Sequence, residues 1–264
     1  MVAVSPYLER NSQAVELLQQ GKIAEASGLL RNALGGLQME LIKHSSVAAP
    51  STPGPSAPQQ QQAAQEEDFS CFVYGSLYAV SVPMAEQAAQ RILAGSNPDK
   101  HIFGCYPRAM EVDENVMADI TPSTAFVVLV YNLSLALFIQ QAGMPRQTNN
   151  MAENPLYTSI TLLQAGLQTA DQLWNQEYKE ENLFLLLALI NNLGFFLSLL
   201  TTDYDESNQR QISECLTVIS RMMMHHDAPE DVIPTEDYDF FVTHSCLYYM
   251  SIQQQQFMNT AAAA

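Results

Sequence analysis

Cations are scarce in this chain. Its 264 residues carry 11 Lys and Arg against 28 Asp and Glu, a formal net charge of −17 at pH 7. Affinity for nucleic acid rests largely on cations that neutralise phosphates, so a general nucleic-acid binder is excluded. The same balance repels an anionic membrane surface. Cysteine is also sparse. Cys71, Cys105, Cys215 and Cys246 lie far apart, without a Cys-x-x-Cys pair or a dense disulfide framework. A bridge between Cys71 and Cys105 would need their two segments to pair. The expectation is free thiols in a reducing, intracellular compartment, cytoplasmic or nuclear. No basic stretch followed by an apolar run opens the chain at Met1 to Pro6, so no signal peptide is expected.

The usual marks of chemistry are missing too. There is no phosphate loop, dinucleotide fingerprint or nucleophile elbow. Gly35-Gly36 is an isolated pair and reads as a helix end. His225 and His226 are adjacent, about 100° apart on a helix, and cannot readily share one ion. They read as a solvated helix end. His244 and Cys246 are two apart and do not face each other on a helix. No convergent set of ionisable groups is visible, so the expectation is no enzyme, no cofactor, no metal site and no catalytic residue. An enzyme whose site is invisible in the sequence is the opposing class.

What the chain does have is apolar surface. Hydrophobic residues make up 47% of it, enough for one sizeable core. Within Asn11 to Lys43, Ala26, Leu29, Leu30, Ala33, Leu34, Leu37 and Leu41 recur at steps of three and four, and Ala14 to Leu18 form a shorter amphipathic stretch before them. With Gly21 between them, residues 1–44 read as a helical hairpin. Residues 45–68 then carry four prolines and a glutamine run and no apolar face. They read as a disordered insertion.

Residues 69–264 complete the same domain. Phe72, Tyr74, Tyr78, Val80 and Val82 alternate, the signature of a strand that Pro83 ends. A weaker extended pattern runs from Ile102 to Val112, and Ala85 to Leu93 suits a short helix between them. A helical reading of Phe72 to Val80 stays open. Four helices follow, at Ala125–Gln141, Leu156–Trp174, Leu183–Leu200 and Ile212–His225. Tyr238 to Phe257 reads as a last helix before an alanine tail. The fold class is therefore mostly α with a small β-hairpin insertion. Leu183–Leu200 is long enough to cross a bilayer, which makes a membrane-associated helical protein a further alternative. Asn191, Asn192 and Gly194 in its middle favour a buried helix and no membrane span.

Two of these helices repeat a phrase. Val130, Leu133, Ser134 and Leu137 have the spacing of Ile190, Leu193, Gly194 and Leu197, with Asn132 and Asn192 in the same slot. This large-x-x-Leu-small-x-x-large spacing resembles the first helix of a tetratricopeptide repeat, and Ala26, Leu30 and Ala33 resemble its second helix. The slots for Trp and Tyr in that family hold aliphatics here. The chain is also similar to a divergent set of repeat proteins abundant in diatoms, through Tyr131-Asn132-Leu133, Asn191 to Gly194 and the Ala-rich end. The resemblance implies about three tetratricopeptide-like hairpins plus a C-terminal helix. It implies a soluble scaffold or protein–protein interaction module that uses a helical-repeat groove, and imports no activity. In that family the slot of Asn132 and Asn192 faces the groove, where an amide can hold a ligand's backbone or carboxylate. The two are the candidate partner-binding residues, with a purely structural role as the alternative. No Lys or Arg adjoins them, so the expected partner is a protein or peptide, neutral or basic rather than acidic.

Overall fold

The computed structural model describes residues 2–47, 77–94, 104–143, 154–176, 183–200, 206–225, 233 and 235–243. The first helix, α1 (Ser5–Gln19), starts six residues ahead of the apolar pattern because Pro6 falls in its first turn, where a missing N–H costs nothing. It ends in a backbone reversal. Gly21 takes φ +74°, Lys22 N–H donates to Leu17 O, and Gly21 N–H donates to Leu18 O. This pairing satisfies the last carbonyls of α1 and requires a residue tolerant of the left-handed region.

The next helix, α2 (Ile23–Val47), runs straight through Gly35-Gly36, so that pair does not end a helix. Gly36 serves packing. A Cβ there would lie 2.7 Å from Cε1 of Tyr7, whose ring sits against the bare glycine. Ala26, Leu30, Ala33, Leu34 and Leu37 are buried along one face as their spacing requires. The helix continues to Val47, past the expected start of the insertion at 45. The remainder of that insertion, 48–68, lies outside the described residues.

Strand β1 (Leu77–Ser81) leads into helix α3 (Pro83–Ala94), and β2 (Arg108–Val112) pairs antiparallel with β1, Ala79 opposite Met110. Strands are thus present at 77–81 and 108–112, whereas residues 104–107 are not part of a strand and Phe72 and Tyr74 lie outside the described residues. Neither face of β1 is uniformly inward. Tyr78 is exposed beside Glu111, Leu77, Ala79 and Val80 are partly covered, and Val82 just beyond the strand is buried. Pro83 begins α3 rather than only ending the strand.

A 3-10 turn at Glu114–Val116 precedes α4 (Pro122–Ala142), which is capped by the Thr121 hydroxyl accepting from Thr124 N–H. Then come α5 (Pro155–Gln176), α6 (Leu183–Leu200), α7 (Glu206–His225) and α8 (residues 235–243). The described residues are thus mostly helical with one small antiparallel sheet. In chain order α1 packs on α2, α2 on α4, α4 on α5, α5 on α6 and α6 on α7.

α4 and α6 are apolar on all sides and, among the described residues, are the two helices whose length and composition would suit a bilayer. Most of each is buried within the fold, as such a helix must be when other helices surround it. Phe138 of α4 stacks on Phe196 of α6 at 4.9 Å and meets Phe195 edge-on at 5.7 Å. Between them Gly166 of α5 admits both partners: a Cβ there would lie 3.2 Å from Val130 and from Leu189. Gly194 is buried in α6.

Candidate functional site: helix amides bonded to a segment of the chain

The two repeated asparagines are buried and converge on one stretch of chain. Asn132 of α4 accepts from Met110 N–H at 2.8 Å and donates to Met110 O at 2.7 Å. Asn192 of α6 does the same to Tyr106, at 2.8 Å and 3.1 Å. An amide that takes both backbone groups of one residue copies the pairing of a neighbouring strand. Tyr106 and Met110 are four residues apart, about 13 Å along an extended chain. The matched slots of α4 and α6 therefore read one segment at two points.

Other side chains fill the intervals. The Tyr131 hydroxyl donates to Arg108 O at 2.9 Å and accepts from Asn192 Nδ2 at 3.1 Å. Asn191 Nδ2 donates to Gly104 O at 2.9 Å. Asn11 of α1 donates to Met110 O at 3.0 Å and accepts from Asn132 Nδ2 at 2.8 Å. Residues 104, 106, 108 and 110 thus turn their backbone groups to the helices. Pro107 turns its carbonyl the other way, accepting from Val82 N–H at 3.2 Å. One edge of this segment faces β1 and the next residues, and the other faces a row of amides and a phenol.

Side chains of the segment have their own seats. The Tyr106 ring packs among Phe184, Phe240 and Phe241, with centroids 5.1–6.2 Å away. Its hydroxyl donates to Asp237 of α8, a carboxylate only 2% exposed. Arg108 donates to the same carboxylate at 2.7 Å and to the exposed Glu236 at 3.2 Å. Burial pulls the Arg108 pKa down, but the bond and charge of Asp237 outweigh it and hold the guanidinium above its ordinary value. Burial drives the phenols of Tyr106 and Tyr131 far above the usual range, so both stay protonated as donors. The Cys105 thiol is raised by burial. That of Cys215 is pushed up to about 12, by burial first and Glu214 second. Neither supplies a thiolate nucleophile near neutral pH.

Asn132 and Asn192, taken from the sequence as candidates for a partner, are brought together on the chain's own segment. Asn11 was missed although it carries a signal: it interrupts the buried row Leu8, Ala14, Val15 and Leu18 of α1. The pairing of Arg108 with Asp237 joins residues 129 apart and has no local signature. His226, His244 and Cys246 lie outside the described residues, and His225 is the last residue of α7. Among the described residues no three His, Cys, Asp or Glu come together as metal ligands. A separate cleft of about 580 Å³ opens between α5, α6 and α7, lined by Leu167, Leu186, Ile190, Val218 and Met222. No family model matches this chain, and neither a curated protein nor a solved structure matches it.

Proposed function

We propose that this protein is a protein–protein interaction module, a tetratricopeptide-like scaffold whose helical-repeat groove holds an extended stretch of polypeptide. One observation carries the reading. Asn132 and Asn192, in the same slot of α4 and α6, each grip both backbone groups of a single residue in an extended segment. Such contacts recognise conformation rather than sequence, which is what a peptide groove needs. Pairing of α1 with α2, α4 with α5 and α6 with α7 is compatible with three repeats, and the Ser159 hydroxyl on Ser134 O marks a close crossing of α4 and α5. The acidic balance favours a neutral or basic partner.

The test is to recover partners from the native cell by affinity purification, purify the best candidate, and titrate it against the chain. Saturable one-to-one binding by an unstructured stretch of that candidate supports the module. If purified candidates do not bind, or if purified chain turns over a substrate in their absence, the proposal fails.

A further inference from the structure

The groove is already filled by the chain itself. We propose that residues 104–112 are an exchangeable occupant, and that the partner which displaces them is an extended basic peptide of pattern aromatic-x-Arg-x-apolar. This rests on the reading of the groove as a peptide-binding surface.

The pattern follows from the seats. Phe184, Phe240 and Phe241 form an aromatic box around Tyr106, Asp237 and Glu236 meet Arg108, and Met110 is fully buried. The contacts between these seats go to backbone atoms, so any extended chain that supplies the pattern satisfies them. The occupant is also imperfect in three respects. Asn191 Oδ1 is buried with no hydrogen-bond partner at the Gly104 end. Pro107, on the β1 side, has no N–H to give the ladder. Glu111 leads into Asp113 and Glu114, adding like charge to a molecule already at −17. Its other support is β1, five residues of a two-stranded sheet, which has little stability of its own. A peptide that keeps the aromatic and the arginine and drops the acids relieves the last of these defects.

The probe is a fluorescent synthetic peptide with the sequence of Gly104–Val112, its cysteine replaced by serine and its glutamate by glutamine, so that arginine is its one charged side chain. It is titrated against the full wild-type chain and against Arg108→Gln, which removes the occupant's charge. The variant is expected to bind the probe at least tenfold more tightly than wild type, and a probe with glutamine at its arginine position is expected to lose that gain. A folded variant that binds neither probe, or both equally, overturns the proposal. Should Arg108→Gln not fold, amide exchange on the wild-type chain decides. Tyr106 and Met110 amides should exchange through an opening that leaves α4 protected, faster with millimolar probe. Exchange only together with α4 overturns the proposal. A purified partner that binds while both amides keep their protection overturns the displacement alone and leaves the interaction module standing. Probe exchange with no protein partner found counts against the module alone.

Discussion

Asn132 has every polar atom of its amide engaged, and all its partners are buried. Alanine there strands Met110 N–H and Asn11 Oδ1, while Met110 O keeps only its bond from Asn11 Nδ2. Leaving buried groups unpaired costs about 1–3 kcal/mol apiece, less whatever water recovers. Asn132→Ala and Asn192→Ala are therefore each expected to lower unfolding free energy by about 2–3 kcal/mol, seen as earlier urea midpoints. A midpoint within error of wild type for both would show that the amides do not hold the segment. Thiols give a second prediction. The Cys215 pKa is raised from 9.0 to about 12 by burial. Its unfolded form loses a proton first, so the stability it contributes is present below about pH 9 and is lost as pH climbs toward 12. Thermal scans from pH 8 to 11 should show a falling melting temperature, with a shallower slope in Cys215→Ala. An unchanged slope would refute the assignment.

Helices pack here through glycines of different kinds, and substitution separates them. Gly28 and Gly35 lie inside α2 with open space where a Cβ would stand. Alanine at either should stabilise by about 0.5–1 kcal/mol, because glycine loses more freedom on entering a helix. Gly166 is wedged between Val130 and Leu189. Gly166→Leu should destabilise by about 1–3 kcal/mol or more through overpacking. Chemical denaturation of the three variants checks the ordering, and a neutral Gly166→Leu would mean that α5 does not sit between α4 and α6. Gly194→Leu, buried in α6, belongs with the damaging class if the repeated phrase marks a helix crossing.

The molecule as a whole carries its charge unevenly used. With 11 cations in 264 residues, Arg108 is paired with the nearly buried carboxylate of Asp237. The remaining acids set the field that the proposed partner would meet. Association with a basic peptide should therefore slow as salt rises, since the screening length falls from about 10 Å at 0.1 M to about 3 Å at 1 M. Stopped-flow association rates at 0.05 and 0.5 M salt measure this, and a rate independent of salt would remove the electrostatic argument. The dissociation rate should change far less, because the contacts that hold the segment are buried and weakly screened.

Local pattern was enough for most of the elements. Apolar spacing of three and four located α2, α5 and α7, long apolar runs located α4 and α6, and Gly21 marked the first reversal, because each of these depends on neighbours along the chain. The repeated slot of Asn132 and Asn192 was legible for the same reason: two helices of one period carry one phrase. Helix starts were less legible, since Pro6 and Glu206 extend α1 and α7 beyond their apolar faces. What the amides hold was not legible at all. Met110 lies 22 residues from Asn132, and Tyr106 lies 86 from Asn192. Nothing local distinguishes an amide that waits for a ligand from one already bonded to a distant strand. Only packing α1, α4 and α6 side by side brings four asparagines to one edge of the segment 104–110 and sets Asp237 against Arg108. Those contacts depend on where the chain returns in space, which a periodicity of two or 3.6 residues does not encode.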